Sequence, residues 1–131
     1  MKKLVLLSLA ILSSSVLAMP PKPASCPSPA AIQSVGVQTY ENGDVPGTWI
    51  VGVDRNTFGT PDTWTFGITN IPAANGKDAM KIGQQQLTSI YGGVGPVAAP
   101  YGVWECLYSV KGGYWTVAFS PVDSMEVKKI L

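Results

Sequence analysis

Thr63-Trp64-Thr65-Phe66-Gly67-Ile68-Thr69 decides the fold class. Trp64, Phe66 and Ile68 fall on one side of an extended chain, and Thr63, Thr65 and Thr69 on the other. That period of two marks a half-buried antiparallel strand. The preceding stretch Thr48–Asp54 repeats the pattern, with Trp49, Val51 and Val53 on one face. Val35–Glu41 is a weaker strand. Downstream, Tyr101–Val110 and Tyr114–Phe119 are aromatic-rich and joined by Lys111-Gly112-Gly113, a hairpin signal. Trp115, Val117 and Phe119 share one side of the last strand. Trp49, Trp64, Phe66, Trp115 and Phe119 are assigned to the core face, with Tyr40, Tyr108 and Tyr114 partly exposed.

One segment breaks the strand rhythm. Asn75 to Ile90 carries Met80, Gly83, Leu87 and Ile90 at helical spacing. Asn75 is a suitable N-cap, and Asp78 places a carboxylate at the positive end of the helix. Gly83 weakens a helix interior by about 1 kcal/mol relative to Ala, so close approach of helix and sheet is expected there. Pro29–Ser34 reads as a short helical turn capped by Ser28 and ended by Gly36. The order is strand, strand, strand, helix, strand, strand. The expected fold is α+β: a twisted antiparallel sheet of about five strands with one helix (75–90) packed on one face. Tyr91–Tyr101 reads as a Gly/Pro-rich loop, and the tail 120–131 is unassigned.

The ends of the chain speak to location. Residues 1–18 read as a signal peptide: Lys2 and Lys3, the apolar run Leu4–Leu12, and Val16-Leu17-Ala18 before a cut after Ala18. The apolar run is too short for a bilayer span of roughly 20 residues, so no membrane anchor is expected after processing. Removing 18 of 131 residues leaves 113 and takes nine basic residues to seven against eight acidic ones, a formal charge of −1. No basic patch supports nucleic-acid binding. The mature chain divides into a Pro-rich N-terminal segment, 19–34, and a single α+β domain, 35–131. Its two cysteines, Cys26 and Cys106, are expected to form one disulfide in an exported protein. The location is periplasmic or secreted.

Chemistry is limited by the absence of histidine. The commonest general base and metal ligand is missing, and Ser-His and Cys-His nucleophilic sites are excluded. Asp54–Asp62 has acidic or amide residues at three calcium-loop positions and Gly59 at the sixth. It lacks the closing Glu and flanking helices and reads as an ordinary loop. The eight carboxylates fall mostly in turns. Glu105 is the exception; with Trp104, Cys106 and Tyr108 inward, it faces out beside Val103 and Leu107. No catalytic or metal-ligating residues are assigned.

The signal peptide, the prolines before Cys26, the two Trp-bearing strands and Tyr101-Gly102-Val103-Trp104-Glu105-Cys106 together resemble a family of small secreted bacterial proteins of uncharacterised domain. Some members are named haemin-binding protein, which implies a haem ligand. Without His, iron would need Tyr, Met or Cys, and Tyr91, Tyr101 and Met80 are the candidate ligand-binding residues. The favoured expectation is a non-enzymatic exported domain that binds a protein or a small flat ligand, with no required cofactor. Haemin binding is the alternative, followed by a two-carboxylate hydrolase or a secreted inhibitor presenting Tyr91–Tyr101.

Overall fold

A computed structural model describes residues 19–122. The leader reading of residues 1–18 and residues 123–131 of the tail lie outside the described residues. Helix α1 (Pro29–Val35) begins where Ser28 Oγ accepts the Ala31 amide at 3.1 Å. It stops at Gly36, whose φ of 76° ends the helix as its amide donates to the Ile32 carbonyl. Six strands follow: β1 (Thr39–Asn42), β2 (Thr48–Asn56), β3 (Trp64–Pro72), β4 (Tyr91–Ala99), β5 (Val103–Ser109) and β6 (Thr116–Ser120). Helix α2 (Gly76–Leu87) separates β3 from β4, and a 3-10 turn (Pro100–Gly102) separates β4 from β5.

The strands form one sheet in the order β1-β2-β3-β6-β5-β4, every neighbouring pair antiparallel. The fold is therefore α+β, as expected, with one strand more. That strand is Tyr91–Ala99, which sequence reading takes as a loop. Its glycines at 92, 93 and 95 have positive φ, and its register against β5 shifts twice. These irregularities erase the simple alternation by which a strand is recognised.

Both helices lie on the same face of the sheet. Helix α2 packs over β1, β2 and β3, and α1 lies by β4. Asn75 caps α2, its Oδ1 accepting the Asp78 amide at 2.9 Å. The buried residues of α2 are Gly76, Ala79, Gly83 and Leu87, while Met80 is half-buried. A Cβ on Gly83 would stand 2.3 Å from Val51 Cγ2, so the helix does sit against the sheet there. The core between them holds Val51, Val53, Trp64, Phe66, Ile68 and Leu87.

The other half of that face is covered by the chain before β1. Cys26 is bonded to Cys106 on β5, with Cα atoms 5.7 Å apart. Two residues further along β5, the buried Tyr108 hydroxyl donates to the Pro27 carbonyl, and burial pushes its pKa up. Tyr108 is thus a core residue: its expected inward placement beside Cys106 holds, and the partial exposure also expected for it does not. At the start of β5, Trp104 Nε1 donates to the Pro20 carbonyl at 3.0 Å, and Lys22 Nζ sits 5.9 Å above the same ring. Prolines 23 and 27 are buried. The Pro-rich segment is a covering layer fastened at three points.

The Asp54–Asp62 stretch takes in the end of β2 and most of the β2–β3 connection. Asn56 Oδ1 accepts the Phe58 amide, Thr60 Oγ1 accepts Trp64 Nε1, and Phe58 is buried. Its polar groups are used to hold the turn.

Candidate functional site

Alternation gives the sheet a second face, opposite the helices. Its register brings Leu107 between Val117 and Val94, and Glu105 between Phe119 and Val97. Val103 pairs with Ala99, while Val117 pairs with Gly67, which in turn pairs with Gly52. Ile50, Val103, Val117 and Phe119 make a separate apolar cluster there, with Ala99 and Leu107 packed against it. Trp115 meets Phe119 edge to face at 6.2 Å. Trp115 and Phe119 are therefore absent from the helix-side core to which sequence assigned them. Their mutual alternation was correct; which face they take depends on β6 pairing with both β3 and β5. The expectation for Glu105 holds, since it shares this apolar face with Val103 and Leu107. Burial raises its carboxyl pKa above the usual 4.5.

At one margin of this face runs β4. Tyr91 is 65% exposed, Val94 64%, Val97 40%, and Tyr101 in the following turn 56%. Tyr101 has φ 65°, an uncommon backbone state for a bulky residue. The remaining exposed large apolar residues, Met19, Tyr40, Val45 and Trp115, are scattered along the chain. An edge strand also carries unpaired backbone groups that can template pairing with another chain. Here Pro96 lacks an amide, and the register shifts interrupt the edge. The opposite edge, β1, has only four residues and includes Glu41. Both edges are thus blunted, and β4 presents side chains more than backbone.

Tyr91 and Tyr101 stand at opposite ends of β4, since Tyr91 pairs with Ser109 and Ala99 with Val103. Met80 is on α2, packed against the helix-side core. The structure does not bring these three residues together around one ligand. No group of three or more His, Cys, Asp or Glu side chains able to hold a metal occurs among the described residues.

A shallow open cleft of about 340 Å³ lies between the two helices, lined by Gln33, Gln84, Leu87 and Thr88. Its amides are largely engaged. Gln33 Nε2 donates to the Leu87 carbonyl at 2.8 Å, and Gln84 Oε1 accepts the Val37 amide at 2.9 Å. Neighbouring Gln86 Oε1 accepts the Gly112 amide at 2.6 Å. The run Gln84-Gln85-Gln86 is polar and uncharged. Their lack of charge was the available sign that two of them tie α2 to its neighbours. The cleft lining contains no carboxylate.

Comparison with family models, curated proteins and solved structures finds no match to this chain.

Proposed function

We propose that this chain is a small exported, non-enzymatic binding domain that engages a partner through Tyr91, Val94, Val97 and Tyr101. The observation that carries the reading is the gathering of these four exposed apolar side chains on one edge strand and its turn. Burying such side chains against a partner is favourable by roughly 25 cal/mol per Å² of apolar surface. Tyr contributes a rigid, amphipathic contact. A disulfide-linked scaffold beneath them is consistent with an oxidising, extracytoplasmic location. No helix among the described residues is long and apolar enough to cross a membrane. The leader-like residues 1–18 supply the export signal in this reading, with processing after Ala18 to a periplasmic or secreted form.

The test is site-specific photocrosslinking in a Gram-negative producing cell. A photoreactive residue replacing Val94 should give a discrete crosslinked species, and the same residue replacing Asp44 should not. Equal labelling at both positions, or none at either, would overturn the binding reading. N-terminal sequencing of the exported chain should begin at Met19. Haemin titration addresses the ligand named by the family resemblance: a saturable Soret band at one equivalent would replace the protein-partner reading with haemin binding.

A further inference from the structure

The cleft between α1 and α2 has walls of fixed polarity. Gln33 Nε2 donates to the Leu87 carbonyl, and Gln84 Oε1 accepts the Val37 amide. A carbonyl only accepts and an amide N–H only donates, so these bonds settle which end of each glutamine is which. Gln33 is left with an oxygen to accept, and Gln84 with an NH2 group to donate. Both side chains line the cleft together with Leu87 and Thr88, and none of the four ionises. We propose that this cleft binds a small uncharged molecule through a carboxamide. The ligand oxygen accepts from Gln84 Nε2 while its N–H donates to Gln33 Oε1. This goes beyond the partner reading of β4, because the cleft lies on the helix side of the sheet and no β4 residue lines it.

The chemistry of the lining selects this class. A carboxamide carries an acceptor and a donor side by side, so one group serves both glutamines. A carboxylate has no proton for Gln33 Oε1, and an ammonium has no acceptor for Gln84 Nε2. Either would also bring a charge that nothing in the lining offsets. The two glutamines are held in advance, since each has one end bonded to the backbone of the facing segment. Ligand binding therefore does not have to order them from free rotation. Gly36 makes room for this arrangement: its φ is 76°, and a Cβ there would stand 2.9 Å from Gln84 Oε1. The Thr88 hydroxyl, which donates to the Gln85 carbonyl at 2.7 Å, keeps its lone pairs for a second ligand N–H. The volume of about 340 Å³ is at the small end of ligand pockets, roughly 300–1,000 Å³. It suits a single ring bearing the carboxamide, with Leu87 as the apolar member of the lining.

The experiment titrates the full exported protein with benzamide and follows the glutamine side-chain NH2 signals by NMR. Benzoate has the same shape with a carboxylate in place of the carboxamide and serves as the control. Benzamide should shift the Gln33 and Gln84 signals saturably, with the roughly millimolar affinity of so small a molecule. Benzoate should bind about ten-fold more weakly or not at all. Equal binding of the two, shifts that never saturate, or shifts confined to residues outside the cleft would overturn the proposal. Gln84→Glu then separates the ligand from the scaffold. It keeps an Oε1 to accept the Val37 amide and removes the Nε2 donor. Its melting temperature should match the parent, while benzamide affinity falls about ten-fold, the effect of one such hydrogen bond. Benzamidine, a cation that donates to the new carboxylate, should bind Gln84→Glu more tightly than it binds the parent. Unchanged benzamide affinity in Gln84→Glu would overturn the assigned contact. Should that variant fail to fold, the benzamide and benzoate comparison in the parent decides alone.

Discussion

Gly83→Ala sets two opposing effects against each other at one atom. Taken as a helix substitution alone, it should stabilise by about 1 kcal/mol, because Ala restricts the unfolded chain and favours the helix. The added methyl, however, would stand 2.3 Å from Val51 Cγ2, while carbon atoms pack best at roughly 3.5–4.0 Å. Val51 is fully buried and β-branched, so it has little rotamer freedom with which to yield. The helix must lift from β2 by about 1 Å or more. Overpacking of this kind costs about 1–3 kcal/mol, which offsets or exceeds the propensity gain, so the expected net is a loss of up to about 2 kcal/mol. Val51→Ala alone should cost about 2–3 kcal/mol through lost burial and the cavity left behind. In the double variant the new methyl enters the vacated space, and the propensity gain of Ala is recovered. The double variant should therefore be more stable than Val51→Ala. Urea denaturation of the four proteins measures the cycle, with a coupling energy of about 1–3 kcal/mol expected. A Gly83→Ala protein more stable than the parent, or additivity within about 0.5 kcal/mol, would refute the close-packing argument.

Two further predictions concern the N-terminal layer and the second face. Replacing Cys26 and Cys106 together by Ser opens a loop with a sequence separation of 80 residues, for which chain entropy gives a loss of about 4–5 kcal/mol. The urea midpoint should fall sharply, and an unchanged midpoint would show that the Trp104, Tyr108 and Pro27 contacts hold the layer unaided. Glu105→Gln tests burial of the carboxylate. Because the folded pKa lies above 4.5, the fold disfavours the charged form. Stability is therefore greatest below the ordinary glutamate range and falls as pH rises through the raised value. Melting temperatures should show Glu105→Gln above the parent at pH 7, with the difference closing below about pH 4. A difference independent of pH would remove the desolvation account.

The strand pair around Trp64 and Phe66, the capped helix after Asn75, the close approach at Gly83 and the Cys26–Cys106 bond were all legible from local residues. Each depends on period, capping chemistry, backbone freedom or cysteine arithmetic, which act over a few residues or by elimination. Absence of histidine likewise ruled out the commonest nucleophilic sites before any fold was known. Strand β4 was not legible, because its glycines and shifted register are tolerated only when β5 is already there to receive them. The same holds for the side of the sheet that Phe119 and Trp115 take, for Tyr108 as an anchor for Pro27, and for the separation of Tyr91, Tyr101 and Met80. Local pattern determined which residues share a face. Long-range strand pairing alone determined which face that is and what lies against it, because those contacts join residues far apart in the chain.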